Sequence, residues 1–409
     1  MNNLRQKRIG IIGFGEMGKR HGKDMEEYSH GDIEVVAVYE PDDVKYEQGR
    51  QWMSKRPARC ETIEQLLESF QIDGVIIASP NFTHLDCLGK LKGKTMPVIL
   101  EKPLDTTIEK VFEVVRFVEN YEGPVMVHHV MRYAPIVKKA KELVDSGRIG
   151  KIRSFHFRQN GGGGMFHNFR RTMKTGGGQL LEKATHDFDV LLHLVGSAPS
   201  RVASICKQQY YGGNKPDDLR CSECDEKMTC SSYCAAGTTQ RAFADVTAAN
   251  DLCAYAKCVD IPDNETCILE LDHGVFGTYS HYYFTKGYYY SRVYELMSDA
   301  GVMLINFTNA DHPPFDGKIE VCTPSGNDVH YFEYWDRIHY NGGPGVVNHF
   351  YDLMAGVSNT PYSPVNQALA AEMIAFGAYA ANRKGTFINI PSLMPVDIRE
   401  IFQSAFKRE

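Results

Sequence analysis

The run Gly13-Phe14-Gly15-Glu16-Met17-Gly18 constrains this chain more than any other stretch of it. It follows Ile9–Gly13, which reads as a first strand, and opens a helical pattern. In that setting Gly13 permits a tight turn, Gly15 lets the backbone approach a pyrophosphate, and Gly18 allows the helix to pack close to the strand. Amides freed at the helix start, together with the helix dipole, can then hold phosphates. Glu40 ends the next strand-like run. A carboxylate there accepts hydrogen bonds from ribose hydroxyls and repels a 2′-phosphate, so the expected cofactor is NAD rather than NADP. The bland counterpart is a set of glycines that only shape a turn, with Glu40 a solvated strand end. The strand context and the acid together weigh against it.

The rest of the first 130 residues fits this start. Ile9–Gly13, Val35–Tyr39, Gly74–Ala78, Val98–Leu100 and Val125–His128 are short apolar runs, and Ile63–Phe70 and Ile108–Tyr121 between them have helical spacing. Short buried strands alternating with helices predict a doubly wound parallel sheet. The remainder reads as α+β. A helix over Val137–Ser146 ends at Gly147, and strands are expected at Lys151–Gln159, Arg201–Tyr210, Thr266–Leu271, Val275–Phe284, Ser291–Met297 and Val302–Phe307. Helices are expected at Leu180–Leu194, Val346–Ala355 and Val365–Arg383. This second pattern predicts a mostly antiparallel open sheet with helices on one face. The expected division is 1–130 for a nucleotide-binding domain and 131–409 for a substrate and oligomerisation domain, with a cysteine-rich insertion at about 206–260.

The charge balance excludes some partners. A formal net charge of −6 supplies no global field for a nucleic-acid backbone. No run of about 18 apolar residues suggests a membrane span, and Met1–Arg8 is too short and polar for a secretory signal. The expected compartment is the cytosol.

Two further segments could carry chemistry. Glu101-Lys102-Pro103 follows a strand, which puts Lys102 at the carboxyl edge of the sheet, where ligands bind in such folds. Glu182, His186 and Asp189 recur at spacings of four and three, so one helical face can present them together. Oxidising an alcohol requires a proton acceptor on the hydroxyl, and a neutral histidine suits that near neutral pH. A lysine ammonium can orient the hydroxyl and stabilise a developing alkoxide. The same residues also read as a surface or core histidine flanked by solvated helix charges.

Taken together, these residues resemble the Gfo/Idh/MocA family of glucose–fructose oxidoreductases and inositol dehydrogenases. The resemblance rests on the glycine run, on Ala78-Ser79-Pro80-Asn81-Phe82-Thr83-His84 and on Glu101-Lys102-Pro103. Arg132-Tyr133-Ala134-Pro135, Gly147-Arg148-Ile149-Gly150 and the glycine-rich lead into His186 continue it. It implies that Lys102 and His186 work beside a nicotinamide, and that Ser79, Pro80, Asn81, His84 and Glu101 join the glycine run at the cofactor. It also implies that Arg132, Lys183 and His339 lie on the substrate side. For His339 a plain loop position before Gly342-Gly343 is the equal alternative. Members of this family commonly use their open sheet to form dimers or tetramers. One departure stands out: the family's usual aspartate, four residues before the histidine, is Glu182 here, one methylene longer and followed by Lys183.

Seven of the eleven cysteines lie between Cys221 and Cys267. In a reducing compartment such a cluster reads as metal ligands. Cys221-x-x-Cys224 with Cys230 and Cys253 can enclose tetrahedral zinc, with Cys234 competing for a place; no metal and an iron–sulfur cluster are the alternatives. Four thiolates leave no open position, so the expected role is structural. The tyrosines of Tyr282-Tyr283-Phe284 and Tyr288-Tyr289-Tyr290 read either as sheet core or as platforms for a sugar ring. Three functions remain in view. The first is an NAD-dependent dehydrogenase of a sugar or cyclitol. The second is a glycoside-cleaving enzyme that uses NAD without net turnover, and the third is an NAD-sensing binding protein.

Overall fold

The computed structural model describes residues 6–161, 163–234, 251–285, 290–308, 316–336 and 339–406. The chain forms two compact units, Met1–Ala134 with Gly342–Leu369, and Pro135–Asn341 with Ala370–Glu409.

The first unit holds a six-stranded sheet of β1 (Lys7–Ile12), β2 (Ile33–Tyr39), β3 (Ala58–Cys60), β4 (Gly74–Ile77), β5 (Val98–Leu100) and β6 (Val125–Val127). Its order is β3-β2-β1-β4-β5-β6 and every pairing is parallel. This is the expected doubly wound sheet. Its strands are Val- and Ile-rich and buried, as strands covered on both faces must be. The chain order reverses between β1 and β4, which opens a crevice at their carboxyl ends. Sequence reading missed β3, a three-residue edge strand too short to show a period. The Gly343–Ala355 helix, far along the chain, packs Val346, Val347, Phe350 and Leu353 into the same core as Ile9, Phe14, Met25 and Ile33.

The second unit is built on β7 (Ile152–Asn160), β8 (Pro199–Lys207), β9 (Asn264–Leu271), β10 (Phe276–Tyr282), β11 (Ser291–Ser298), β12 (Val302–Asn306), β13 (Gly317–Thr323), β14 (Gly326–Phe332) and β15 (Ile388–Asn389). The order is β14-β13-β12-β11-β7-β10-β9-β8-β15. Pairings are antiparallel except β7 with β10. Alternation is clear in β9 and β10, where buried residues face the helices and half-buried or exposed ones face away. The expected strands appear, most within one or two residues of their predicted ends; β13, β14 and β15 were not anticipated. The stretch read as one helix over Leu180–Leu194 is instead a π-helical turn, Leu180–Ala184, followed by an α-helix over Thr185–Val195. Among the described residues no helix is long and apolar enough to cross a membrane. Tyr288 and Tyr289 lie outside the described residues.

Candidate active site and cysteine loop

In the first unit the glycine turn lies in the β1/β4 crevice. Gly13 has φ of +86°, and a Cβ on it would meet the Ser79 backbone at 2.6 Å. A Cβ on Gly18 would meet the Gly13 carbonyl oxygen at 2.0 Å, which fixes why helix and turn can approach. Gly15 is different: a Cβ there would meet nothing within 4 Å. It is also the N-cap of the Glu16–Tyr28 helix, with no side chain capping the first amides. Open space beside uncapped helix amides fits an anionic pyrophosphate.

Neighbouring side chains hold this turn. Phe14 donates its backbone N–H to Glu40 Oε2 at 2.8 Å, and Asp42 donates to Oε1 at 3.0 Å. Glu40 thus braces the loop. The Phe14 ring is buried, and Glu16 pairs with Lys19 at 2.6 Å. Beyond β4, Ser79 is half-buried, Pro80 exposed and Asn81 buried. His84 is wholly buried, its ring lying between the carbonyls of Ser79 at 3.1 Å and Leu104 at 3.2 Å. It acts as a brace between two loops.

Glu101 sits in a network that the sequence did not suggest. Its Oε1 is 2.7 Å from His21 Nε2 and 2.8 Å from His128 Nδ1, with all three residues buried. Burial pushes the Glu101 carboxyl up, but the His128 and His21 imidazoles outweigh it and hold the carboxyl well below the usual range. Burial, reinforced by His128, keeps His21 below its ordinary pKa. Glu101 Oε2 accepts the backbone N–H of Lys102 at 3.2 Å, so the network fixes the peptide that carries the half-buried lysine. Arg132 is 1% exposed. It donates to the Tyr362 carbonyl at 3.0 Å and to Gln367 Oε1, a bolt inside the first unit.

In the second unit the π-helical turn carries Glu182 and Lys183, and His186 follows at the start of the α-helix. Glu182 is buried, and Arg170 Nε lies 3.3 Å from its Oε1. Next to His186, the wholly buried Asp187 binds Arg292 Nε at 2.9 Å and takes hydrogen bonds from Tyr279 and Tyr294. Burial works against the charge on Arg292, but the Asp187 carboxylate and nearby tyrosines outweigh it and hold the guanidinium well above its usual range. This anchor locks the first turn of the helix to β10 and β11. Asp189 is also buried. His339 lies before a left-handed Tyr340-Asn341 pair and donates its backbone N–H to Asp336 Oδ1 at 3.2 Å.

Comparisons with known proteins show the family. Residues 7–129 match the Gfo/Idh/MocA oxidoreductase family profile with an NAD-binding Rossmann fold. Residues 137–303 match the Gfo/Idh/MocA C-terminal domain. The chain belongs to the Gfo/Idh/MocA family. Similar proteins include rhizopine catabolism protein MocA of Rhizobium meliloti, 28% identical over 51% of this chain and 64% of that protein. Another is 2,7-anhydro-N-acetylneuraminate hydratase of Escherichia coli, 28% identical over 50% of this chain and 52% of that protein. The matched stretch thus spans between about half and two thirds of these relatives. Among solved structures, scyllo-inositol dehydrogenase of Lactobacillus casei with NAD(H) and scyllo-inositol superposes with a TM-score of 0.69 at 15% identity, covering 94% of this chain and 99% of that one. Levoglucosan dehydrogenase with NADH and levoglucosan gives 0.72 at 17%, with the same coverage. At such identity these two bear on the fold alone.

The Gfo/Idh/MocA C-terminal match runs through the cysteine loop. Cys221 donates its backbone N–H to the Asp251 carbonyl at 2.6 Å, and Cys253 donates its own to that of Leu219 at 2.8 Å. These two bonds bring the Cys-x-x-Cys knuckle beside Cys253. Burial pushes the Cys221 thiol up to about 11, and the neighbouring thiols of Cys234, Cys253 and Cys230 add to it. Burial likewise raises Cys253, with Cys224 and Cys230 contributing. Five thiols therefore share one neighbourhood. His167, which sequence reading missed, brings Nδ1 within 3.7 Å of Cys221 Sγ. Among the described residues it is His21, Glu101 and His128, not the cysteines, whose ligand atoms all lie within 4.8 Å of one another.

Proposed function

We propose that this protein is an NAD-dependent oxidoreductase that moves hydride between a nicotinamide and a secondary-alcohol carbon of a sugar, a cyclitol or a derivative of one. The observation that carries this reading is the glycine turn. A left-handed Gly13, open space with uncapped amides at Gly15 and a carboxylate at Glu40 suit two phosphates and an unphosphorylated ribose. When bound, that cofactor supplies or accepts the hydride. The chain's own residues handle the proton and the oxygen. Lys102 orients the hydroxyl and stabilises charge on its oxygen. His186 takes the proton on oxidation and returns it on reduction. Glu182, paired with Arg170, positions rather than reacts, while Lys183 and His339 stand on the substrate side. Arg132 supports the site from within its unit. Likeness to inositol 2-dehydrogenase of Rhizobium meliloti, 26% identical over 48% of this chain, supports the carbohydrate class.

The likeness to 2,7-anhydro-N-acetylneuraminate hydratase favours a second reading. There the sugar is oxidised transiently, a neighbouring bond is eliminated, and the cofactor returns to its starting state. One experiment separates the two. NADH absorbance is followed with inositols, aldoses, uronates and glycosides, alongside product analysis. A dehydrogenase accumulates NADH, and the redox-neutral enzyme forms product without it. Lys102→Ala is expected to leave NAD affinity nearly intact and to lower kcat by about a hundredfold or more. Unchanged turnover would remove Lys102 from the chemistry.

We assign a structural zinc to Cys221, Cys224, Cys230 and Cys253, with Cys234 and His167 as competing ligands. Burial, with neighbouring thiols adding to it, holds Cys221 and Cys253 in the protonated form, and a dication relieves this by drawing off their protons. A second copy of the chain is the proposed partner of the open sheet face, where Ile205, Ile268 and Phe276 are 66%, 50% and 58% exposed. Eleven free thiols suit the cytosol.

A further inference from the structure

Four strands of the nine-stranded sheet carry one polar residue each in a single row. Arg292 of β11 stands opposite Gln159 of β7, Gln159 opposite His281 of β10, and His281 opposite Glu265 of β9. Directly opposed residues on paired strands project from the same face. Each is one residue from the end of its strand, so the row lies at one rim of the sheet. All four are buried, at 5%, 3%, 1% and 1% exposure. Desolvating four such groups is costly unless each finds a partner.

The two ends of the row have theirs. Arg292 is held by Asp187 at 2.9 Å. Glu265 accepts the Tyr379 hydroxyl at 2.8 Å on Oε1, and its Oε2 lies 3.1 Å from His281 Nδ1. Tyr379 in turn accepts the Leu180 backbone N–H at 3.0 Å, which ties the row to the turn before Lys183. The middle of the row is left open: Gln159 Oε1 and His281 Nε2 have no hydrogen-bond partner. Through Tyr379 the row is bonded to Leu180, the first residue of the π-helical turn that carries Lys183 and precedes His186.

We propose that Gln159 and His281 are specificity-determining residues that grip adjacent hydroxyls of a polyhydroxylated ring. This rests on the carbohydrate reading above and adds two residues of the second unit to it. A hydroxyl both donates and accepts, so it satisfies the carboxamide oxygen and either tautomer of the imidazole. A substrate with one isolated hydroxyl leaves a buried polar atom unpaired, which is the strongest way a site rejects an analogue. Bulk is not the criterion. The row selects for consecutive hydroxyls.

The test uses the full-length protein with NAD bound. Gln159→Leu and His281→Leu are measured for KM and kcat on the sugar that the wild type oxidises best, together with NAD affinity and thermal unfolding. Each is expected to raise KM about tenfold or more, while NAD affinity stays within about twofold. A deoxy analogue that lacks one contacted hydroxyl should bind the wild type more weakly, and the matching variant should show little further loss. Folded variants with unchanged KM overturn the proposal, because the row then holds only solvent. If the leucine variants do not fold, Gln159→Met and His281→Met carry the same measurement. If the wild type oxidises no sugar, the dehydrogenase reading fails, and the row is judged by sugar-induced thermal stabilisation instead. Stabilisation lost in the variants supports the row, and its absence in the wild type overturns it.

Discussion

Burial pushes the Glu265 carboxyl up to about 8; the charge of Asp263 adds to this, and the Tyr379 hydrogen bond only partly opposes it. In the unfolded chain a glutamate titrates near about 4.3. Between those values the folded protein holds a proton that the unfolded chain has released. The resulting stabilisation is complete at the acid end and is lost as pH rises through about 8, with an upper bound of about 5 kcal/mol. Glu265→Gln stays neutral throughout. Melting wild type and variant from about pH 5 to about pH 9 should therefore move the difference steadily in the variant's favour. A constant difference would mean that Glu265 is already ionised in the folded protein at the acid end. Legibility at this scale was uneven. The placement of Gly13, Gly15, Gly18 and Glu40 could be read because it follows from a strand, a turn and a helix that are contiguous. Gln159, His281, Glu265 and Arg292 carry no motif, since strand pairing across up to 133 residues of chain brings them together.

Between elements, the His21–Glu101–His128 network joins the Glu16–Tyr28 helix to the ends of β5 and β6. Three segments distant in sequence converge on one carboxylate, and that carboxylate fixes the peptide of Lys102. His21→Leu removes one charge-assisted bond and should lower the denaturant stability of the first unit by about 2 kcal/mol. It should also lower kcat more than it changes NAD affinity, because Lys102 loses its orientation while the glycine turn does not. Unchanged unfolding together with unchanged kcat would reduce the network to packing. Most elements were legible because periodicity is local: alternation marks β9 and β10, and three- and four-residue spacing marks Ile108–Glu119. The misses have local causes too. β3 is three residues long and β15 two. The π-helical turn at Leu180–Ala184 shares its composition with an α-helix, and only backbone hydrogen bonding tells them apart.

For the molecule as a whole, the zinc proposal is the one whose removal has the widest effect. The purified protein is expected to carry about one zinc per chain. Cys221→Ser or Cys253→Ser should lose it, and chelation should lower thermal stability while the glycine turn still binds NAD. A metal-free protein of unchanged stability would sink the assignment. By itself the sequence determined the two classes of unit, the parallel and antiparallel sheets, and the glycine turn. Those follow from the spacing of apolar residues and from the backbone freedom of a few glycines, both short-range properties. Only the tertiary structure decided that Gly342–Leu369 returns to the first unit, that Glu101 lies between two histidines, and that four polar residues share one row. Such arrangements depend on register and on long-range burial. Many sequences with the same local pattern could satisfy them differently, and only the folded chain brings these particular side chains within hydrogen-bonding distance.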